Sequence, residues 1–548
     1  MSYVFLVGIS TISVCFLIGM LNVDMAFPFL TSIIIAALPL LYFMVYSYLC
    51  PSSNAPCPQS YPIIGNLIGF LRNHRRFHDW VADMLSTTPS LTLEVKTVFG
   101  LSRGICTANP ENLDHFLRTN FPNYVKGTRF NSALQEILGN GIFNADGELW
   151  SGQRKIASHE FNTRSLKQFI RETVQSQLSN SLMPYMAMAC DNGEAINLQD
   201  VLQKFTFDNI CNVAFGVDLN RTDEKDVYLS FARAFDYAVK VSSDRLLSPL
   251  PAIWKIKRFL NIGSEKRYKE AIEVVKDYAM NILKTKEEKI ENDVGKGLEI
   301  KQDLLTRFLD SVSDYKFHDQ EEKTNFLRDI VINFILAGKD STSSALTWFF
   351  WLVASHPRVE RLIYDELSSA IAESPENGPA RLNYDELKKL RYLQAALSET
   401  LRLFPPVPIN SRLVLSNDTL SDGTSVYKGW HADYSAYAMG RMERLWGPDS
   451  REFKPERWLG EYNVDFKQCD PFKFPVFHCG PRMCLGKEMA FVQMKSIAAA
   501  FVYEFKVIAR DGGGIPERIV NPPYATSLLL KMKGGFHVKL QRRGSNLV

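Results

Sequence analysis

The stretch Phe477–Gly486, FHCGPRMCLG, decides the fold of this 548-residue chain. It combines an aromatic ring, two glycines, a proline, an arginine and a thiol, and a run of good helix formers, Lys487 to Phe505, follows at once. Cys484 is therefore predicted to lie just before a helix N-terminus, where the helix dipole and free N–H groups favour an anionic thiolate. With Arg482 two residues away, this rigid and electropositive loop has the properties that a haem iron with one axial thiolate requires.

The simpler interpretation of a cysteine beside a glycine is a buried structural residue in a turn. The complete pattern F-x-x-G-x-R-x-C-x-G resembles instead the haem loop of the cytochrome P450 superfamily of haem-thiolate monooxygenases. The resemblance implies haem b with Cys484 as iron ligand, and Phe477, Arg482 and Gly486 as further cofactor-binding residues. Cys479 departs from the family pattern, which usually has a small residue there, and places a second thiol near the predicted ligand.

Composition limits the classes of function. The chain is long enough for one large core with an appendage, and 46% of its residues are hydrophobic. Its net charge of +3 gives no global support for nucleic-acid binding, so we expect no nucleic-acid partner. The nine cysteines form no C-x-x-C pair, which argues against a disulfide framework or a zinc site and is typical of a reducing compartment.

The N-terminal region predicts a membrane anchor over residues 1–50. The first 71 residues contain one charged side chain, Asp24. Two apolar stretches, Tyr3–Asn22 and Ala26–Leu49, are each about long enough to cross a bilayer. The pattern is compatible with one span or with a hairpin of two.

A proline-rich hinge, residues 51–66, separates this anchor from a single domain that we expect to span residues 67–548. The first basic residues after the apolar stretches are Arg72, Arg75 and Arg76, which predicts that the domain faces the cytosol. This arrangement resembles the membrane-bound members of the superfamily and implies the endoplasmic reticulum membrane. The fold class that we expect is mainly α with small β-sheets, the cytochrome P450 fold, with strands near Ser90–Val98 and Arg412–Tyr427.

Two further cations are candidates for binding the haem carboxylates. Trp150 and Arg154 lie one helical turn apart, so an indole N–H and a guanidinium can share one face of a helix. An ordinary amphipathic helix would also explain this spacing. Beside the haem loop, the pair resembles the W-x-x-x-R that binds a haem propionate, and Arg412, after Pro405-Pro406-Val407-Pro408, is a further propionate candidate.

A long helix is predicted from a cap at Asp319 to Ala354, with Pro357 after its end. Its middle, Ala337–Thr342, AGKDST, contains a glycine, an acid and two alcohols, which are costly in a buried helix and are expected to open its hydrogen-bond ladder into a polar notch. The stretch resembles the family's A-G-x-D-T-T, with serine in place of the first threonine. The resemblance implies that Asp340, Ser341 and Thr342 are catalytic and deliver protons during oxygen activation. Back-bonding of the alcohols to the helix carbonyls would also explain them.

Glu399 and Arg402 are three residues apart on a helix that ends at a Pro-Pro pair, a spacing that by itself indicates only a weak surface ion pair. Arg457, in FKPERW, supplies a third member. Together the three resemble the Glu–Arg–Arg network that stabilises the haem-binding core of the superfamily. We assign them a structural role.

Closer family features resemble the plant ω-hydroxylase group: GIFNADGELW at 141–150, YAMGRME at 437–443 and CLGKEMA at 484–490. Members of that group oxidise the terminal methyl of fatty acids, and close relatives act on jasmonoyl–amino acid conjugates or steroid side chains. The resemblance implies terminal hydroxylation of a lipophilic substrate, with electrons from NADPH through a separate reductase. Arg154, Lys155 and Lys487 are candidates for the reductase surface, although the two lysines could equally be solvated.

The loop Tyr124–Ile142 is expected to face the substrate, because substrate-facing residues of the superfamily occur there. Lys126 and Arg129 are candidates for anchoring a carboxylate. Phe130, Leu134 and Ile137 are expected to line an apolar channel. The stretch 431–434, HADY, is more polar than the family's usual sequence and suggests a specialised substrate.

Two other classes of function compete with a monooxygenase. A haem-thiolate isomerase or dehydratase would act on hydroperoxides without dioxygen, and such enzymes tend to lose the acid–alcohol pair that Asp340 and Ser341 form here. A non-catalytic membrane haem protein would leave the costly polar residues of the long helix unexplained. The sequence does not separate a fatty acid from a hormone conjugate or a steroid.

Overall fold

A computed structural model describes residues 37, 38, 41, 52–61, 63–98, 102–159, 161–216, 225–299, 303–312, 317–373, 378–460, 465–509 and 523–543. The predicted anchor lies almost entirely outside these residues. Within them, no helix is both long enough and apolar enough to cross a bilayer. The boundaries predicted for the anchor and the hinge therefore stay predictions.

The described part of the chain is mainly helical with small sheets, as expected. The helices are α1 Leu67–Asn73, α2 Phe77–Ser86, α3 Pro110–Asp114, α4 Gly127–Leu138, α5 Gly147–Ser158, α6 Thr163–Gln168, α7 Gln175–Gln177, α8 Met183–Asp191, α9 Leu198–Phe215, α10 Lys225–Leu247, α11 Pro251–Phe259, α12 Ser264–Gly295, α13 Leu304–Ser311, α14 Gln320–Ser355, α15 Pro357–Glu373, α16 Tyr384–Lys389, α17 Arg391–Leu403, α18 Ala436–Met439, α19 Glu443–Trp446 and α20 Lys487–Glu504. Two π-helical segments, Phe169–Val174 and Leu178–Leu182, join α6, α7 and α8.

The strands are β1 Thr92–Lys96, β2 Arg103–Thr107, β3 Tyr124–Val125, β4 Ile196–Asn197, β5 Asn410–Val414, β6 Asp418–Thr419, β7 Ser425–Val426, β8 His431–Tyr434, β9 Phe505–Ala509, β10 Tyr524–Ala525, β11 Lys531–Met532 and β12 His537–Arg542. The largest sheet has the order β1-β2-β8-β5-β3, in which β2 and β8 are parallel and the other pairs antiparallel. Strands were expected near 90–98 and 412–427, and β1, β5, β6 and β7 lie there.

The long helix α14 crosses the domain core. The Asp319 carboxylate caps it by accepting a hydrogen bond from the Glu322 N–H at 2.8 Å. The Glu322 carboxylate accepts from the His318 N–H, one residue before the position that a strict capping box would use. The C-terminal half of α14, from Ala345 to Val353, is buried against one hydrophobic cluster, and residues 326–335 contribute to a second. This helix therefore links the two parts of the core.

The predicted Glu–Arg–Arg network forms between α17 and the segment before the haem loop. Both oxygens of Glu399 accept hydrogen bonds from Arg402, at 2.8 and 2.7 Å, and the pair is fully buried. Arg457 lies 3.3 Å from Glu399, and the Trp458 indole also donates to this carboxylate. Arg402 further donates to the carbonyls of Ser450 and Glu452. A buried ion pair with every donor satisfied positions the chain that leads to the haem loop.

The segment expected to be a substrate-facing loop, residues 124–142, is mostly helix. Strand β3 is followed directly by α4, whose C-terminus packs on α14. Gly139 and Gly141 approach Asp329 and Asn333 of α14 so closely that a Cβ at either glycine would overlap those side chains. The glycines therefore allow the turn after α4 to pack on the long helix.

Candidate functional site

One large cavity, about 380 Å³, lies between α14, α4, α5, β5, β8 and the loop around Cys484. Most of its wall is apolar, with Phe130, Leu134, Leu246, Ala337, Ala345, Ile409 and Leu528 among its lining residues. Cys484, Arg412 and Arg482 also lie on the wall. The cavity therefore joins an apolar space to a thiol and to a group of cations.

Cys484 lies two residues before Gly486, the N-cap of α20, as the sequence predicted. Its side chain faces the cavity. Burial raises the pKa of the Cys484 thiol, while the Gly486 N–H, Arg154 and Lys487 act in the opposite direction. A Cβ at Gly486 would lie 3.4 Å from the Phe161 ring and 4.0 Å from the Cys484 sulfur. A Cβ at 486 would thus make ordinary van der Waals contacts with the ring and the sulfur.

The second thiol of the loop, Cys479, is not an alternative ligand. It is 1% exposed and packs in the hydrophobic core. Burial raises the pKa of its thiol to about 12, which keeps it protonated near neutral pH. The neighbouring Gly480 has φ +66°, and a Cβ there would lie 2.0 Å from the Leu117 carbonyl oxygen. This close approach turns Cys479 into the core and leaves Cys484 on the cavity.

Arg482 and Arg412 approach the cavity from different elements. Arg482 donates to the Asp146 carboxylate at 2.6 Å and to the Ala145 carbonyl at 2.9 Å, and its guanidinium lies 4.4 Å from the centre of the Trp150 ring. Arg412, on β5, is completely buried and donates to the Ser411 carbonyl. Burial lowers the pKa of Arg412, and it lowers that of Arg482 to about 10 with help from Arg412.

Lys126 joins these cations. It was a candidate for anchoring a substrate carboxylate, and it lines the cavity, but it is 8% exposed and lies close enough to Arg412 and Arg482 to feel their charge. Burial and those two guanidinium groups lower the pKa of Lys126 well below its usual range, and Asp146 offsets them only in part. Lys126 therefore belongs to the cationic end of the cavity.

Trp150 and Arg154 lie on one face of α5, as predicted. The Arg154 guanidinium lies 5.8 Å from the Trp150 ring centre and donates to the Met483 carbonyl at 2.6 Å. This bond ties α5 to the residue before Cys484. Phe477 also lines the cavity and packs against Phe491 of α20.

Unused donors at this end of the cavity fit a ligand with two carboxylates. Among the described residues, Arg412 Nε and Nη2 and Arg482 Nε are buried and have no hydrogen-bond partner. Asn410 Nδ2 is also buried without one, while its oxygen lies 2.8 Å from His478 Nε2. Burial lowers the pKa of His478 to about 3, so its neutral ring can donate to Asn410. These residues fit haem b: the unused donors would hold its two propionates, and the thiol would supply a ligand to its iron.

The three residues expected to be catalytic do not all lie on the same side of α14. Ser341 and Thr342 line the cavity, but Asp340 does not. The Ser341 hydroxyl donates to the Ala337 carbonyl at 2.6 Å, the back-bonding that was considered as an alternative. The helix remains continuous through this stretch, contrary to the expected opening of its ladder. Gly338 allows α9 to approach, since a Cβ there would lie 2.5 Å from Ile210.

Asp340 belongs instead to a group of four charges on the other side of α14, in which Asp340 and Lys339 are buried and Asp236 and Lys531 are partly exposed. Its Oδ1 lies 2.9 Å from Lys339 Nζ and 3.0 Å from Lys531 Nζ, and both lysines also contact Asp236 of α10. Burial opposes ionisation of Asp340, but the two lysines outweigh it and lower its pKa. A firmly ionised Asp340 that faces away from the cavity is not in direct contact with the reacting atoms. No sequence motif indicated Lys531 or Asp236.

Some of the residues predicted to face the substrate line the cavity, and one does not. Phe130 and Leu134 line the cavity, whereas Ile137 packs in the core behind it. Arg129 also lines the cavity and donates to the Leu246 carbonyl at the end of α10. Asp433, from the unusually polar stretch 431–434, reaches the cavity wall as well.

Comparison with known families agrees with this geometry. A family profile described as Cytochrome P450 matches residues 55–538. The chain belongs to the cytochrome P450 family.

Comparison with curated relatives shows which members of the family this P450 is similar to. It is 43% identical over 498 residues to Cytochrome P450 94A2 of Vicia sativa, covering 90% of this chain and 93% of the relative. It is 41% identical over 525 residues to Cytochrome P450 94B1 of Arabidopsis thaliana, covering 94% and 98%. Cytochrome P450 86B1 of Arabidopsis thaliana is 38% identical over 493 residues, covering 88% and 85%. The protein is thus a cytochrome P450 monooxygenase, and haem-thiolate chemistry and a reductase partner follow in general from the family.

Proposed function

We propose that this P450 hydroxylates the terminal carbon of a fatty acid, using dioxygen and electrons that NADPH supplies through a separate reductase. The observation that carries the proposal is the cavity, whose apolar wall extends from Cys484 and Ser341 to Phe130, Leu134 and Leu528. An apolar wall suits an alkyl chain, because burying each CH₂ contributes about 0.8 kcal/mol. A chain that enters with its methyl end first would place that end near Ser341, at the cofactor end of the cavity.

The cationic end of the cavity supports haem b as the cofactor. Arg412, Arg482 and Lys126 would hold its two carboxylates, with Trp150 and Arg154 shaping the same end. Cys484 would supply the thiolate ligand, and Gly486 would begin the helix that follows it. When bound, the haem supplies the oxygen-activating chemistry.

Ser341 is the best placed residue of α14 for moving a proton. Its hydroxyl faces the cavity and is already hydrogen-bonded to the Ala337 carbonyl, which fixes its direction. Thr342, next to it, also lines the cavity. Asp340 would act on them indirectly, by holding negative charge against Lys339 and Lys531.

A reductase surface is proposed on the side of the domain behind the Cys484 loop. Lys155 and Lys487 are exposed there and can contribute positive charge. Arg154, which was expected to join them, is engaged with the Met483 carbonyl. We therefore assign Arg154 to the cofactor site and keep the two lysines as the docking candidates.

We place the protein at the endoplasmic reticulum membrane with its domain in the cytosol. Helix α11 and the residues after it support a membrane contact, because Ile256 and Phe259 are 57% and 88% exposed and Leu260 and Ile262 are also exposed. Exposed apolar side chains in this number favour burial in lipid. The apolar N-terminal stretches support the same location.

Product analysis tests the function. Microsomes that contain this protein, a plant reductase and NADPH would be given a medium-chain fatty acid, a jasmonoyl–isoleucine conjugate and a side-chain-hydroxylated sterol. A terminal alcohol from the fatty acid supports the proposal. A terminal alcohol from another substrate alone would replace the proposed substrate, and turnover without NADPH would contradict the reductase-dependent reaction.

A further inference from the structure

A second polar group lies on the cavity wall where β5 and β8 pair. Asp433 of β8 is opposite Ser411 of β5 in the antiparallel register, and both side chains line the cavity. The Ser411 side chain lies close enough to the Asp433 carboxyl to lower its pKa. Arg129 of α4 lines the same cavity, and its charge acts on both Asp433 and His431. These residues belong to elements separate from the loop of Cys484.

The fold does not supply hydrogen-bond partners for both carboxylate oxygens of Asp433. Its Oδ1 is buried and, among the described residues, has no hydrogen-bond partner. Burial raises the pKa of Asp433, and Arg129 and Ser411 only partly offset that effect. A buried oxygen without a donor is costly, typically by about 1–3 kcal/mol, unless a ligand supplies the donor. An apolar residue at 433 would avoid this cost.

Arg129 offers hydrogen-bond donors, whereas Asp433 offers an acceptor. One Nη2 hydrogen bond joins it to the Leu246 carbonyl at 3.1 Å. No ion pair of Arg129 is formed within the described ranges. A guanidinium carries five N–H donors, so others remain for a ligand acceptor. Arg129 and Asp433 therefore offer one donor group and one acceptor on the same stretch of cavity wall.

We propose that Asp433, Ser411 and Arg129 form a head-group subsite that selects a substrate whose polar end carries a hydrogen-bond donor beside an acceptor. A hydroxyl next to a carboxylate, or an amide with its N–H and C=O, has this chemistry. The acceptor would bind Arg129 and the donor would bind Asp433 Oδ1. An unsubstituted fatty acid has no donor for Asp433 and brings a second negative charge towards it. This inference rests on the proposed function and narrows its substrate to acyl chains with such a head group.

Binding of three probes with the same twelve-carbon chain tests the subsite. Dodecanoic acid, 2-hydroxydodecanoic acid and dodecanamide would be titrated into the haem-loaded protein, and Kd would be measured from the change in its Soret absorption. We expect at least one of the two donor-bearing probes to bind about tenfold more tightly than dodecanoic acid, the usual size of one hydrogen bond to a charged group. Tighter binding of only the hydroxy acid or only the amide would identify which head group is used. Equal binding of all three would overturn the subsite.

Two variants assign the preference to its residues. Asp433→Asn removes the charge and adds an N–H donor, so dodecanoic acid should bind more tightly and the preference should fall below about threefold. Arg129→Gln should weaken both acids more than dodecanamide. Leu134→Ala, a control on the apolar wall, should weaken all three probes by similar factors. If Asp433→Asn changed every Kd by one common factor, Asp433 would not be a specificity residue.

The readout separates this proposal from the proposed function. Spectral binding needs a folded, haem-loaded protein but no turnover, and the thiolate–CO spectrum of each variant verifies that state. Missing hydroxylated product with intact probe selectivity would contradict the reaction and leave the subsite. Terminal hydroxylation without any selectivity among the probes would contradict the subsite and leave the reaction.

Discussion

Cys484 shows how neighbouring groups act in opposite directions on one residue. Burial raises the pKa of its thiol, and the Gly486 N–H together with Arg154 and Lys487 favours the anion. A bound metal ion would favour the thiolate, because coordination of the sulfur releases the thiol proton to solvent.

Replacing the proposed ligand tests this directly. Cys484→Ala should abolish the absorption band of the thiolate–CO complex, because no other thiol reaches the cavity from the described loop. Cys479→Ala is the matched control and should keep the band, since Cys479 is buried in the core. An unchanged band in Cys484→Ala would disprove the ligand assignment.

Ser341 is predicted to control how efficiently electrons are used. Ser341→Ala removes the cavity-facing hydroxyl and should lower the ratio of product to NADPH consumed by at least about tenfold, because a proton-transfer group typically contributes about 10²–10⁴-fold to the rate. Ser341→Thr keeps the hydroxyl and adds a methyl that restricts its rotamer, so the ratio should be maintained or raised. Measuring product, NADPH and peroxide together checks this, and equal ratios in all three proteins would assign Ser341 only a structural role.

His78 should make stability depend on pH. Burial, with a smaller effect of Arg441, lowers the pKa of His78 to about 3, whereas the unfolded chain titrates near 6.5. Its contribution is complete above pH 6.5 and is lost as the pH falls from 6.5 towards 3, by about 1.4 kcal/mol per unit. His78→Phe keeps the ring contacts with Tyr437 and Tyr524 and should reduce the loss of Tm between pH 7 and 5.

The control for this pH effect is His537→Gln, because His537 is an exposed residue of β12. It should show the same pH dependence of Tm as the original protein. If Tm of His78→Phe depended on pH as steeply as Tm of the original protein, His78 would be protonated in the folded state.

At the scale of elements, α4 is fixed on α14 by two polar side chains one turn apart. Asn333 donates to the Leu138 carbonyl at 2.9 Å and accepts from the Phe143 N–H at 3.2 Å. Asp329 accepts from the Asn140 N–H at 3.0 Å. These bonds pair two N–H groups of the turn after α4 and give the Leu138 carbonyl a second donor besides the Gly141 N–H. The position of α4, and with it Arg129 and Phe130, follows from them.

Asn333→Ala should therefore destabilise the fold by about 1–3 kcal/mol, because it leaves the Phe143 N–H without its acceptor and removes one of two donors to the Leu138 carbonyl. Urea unfolding followed by tryptophan fluorescence measures the change. Thr324→Ala on the exposed start of α14 is the control and should change the free energy of unfolding by less than about 0.5 kcal/mol. A similar, small effect of both substitutions would argue that the turn after α4 is held by its glycines alone.

At the scale of the whole molecule, Glu399 connects α17 to the chain before the haem loop. It binds Arg402, Arg457 and Trp458, and Arg402 reaches on to carbonyls of the segment 440–452. Removing one partner of such a pair leaves a buried charge without compensation. The network thus links packing of the core to the geometry of the cofactor site.

Glu399→Gln should cost about 3–5 kcal/mol and sharply lower the fraction of protein that retains haem. Haem content per protein and the thiolate–CO band measure it. Asp365→Asn breaks a long, exposed Arg361–Asp365 contact and should leave haem content unchanged. Full haem retention in Glu399→Gln would mean that backbone packing alone maintains the loop.

The motifs that were predictable are local ones. Cys484 before α20, Trp150 with Arg154 on α5, and Glu399 with Arg402 on α17 each depend on spacing within one helix or turn, and spacing is visible in a sequence. Arg457 and Arg412 were placed only through resemblance to a family. The sequence indicated which polar residues of α14 matter, but not the side of the helix on which each side chain lies.

The sequence by itself determined the fold class, the haem loop and the family, because these depend on short patterns with strict local geometry. Only the tertiary structure decided that Lys126 lies near Arg412 and Arg482, and that Asp340 turns from the cavity towards Lys531 and Asp236. It also decided that Arg129 lies close enough to Asp433 for its charge to lower the pKa of that carboxyl. Each of these arrangements brings together residues far apart in the chain. Their meeting depends on how helices and strands pack, and no local spacing encodes it.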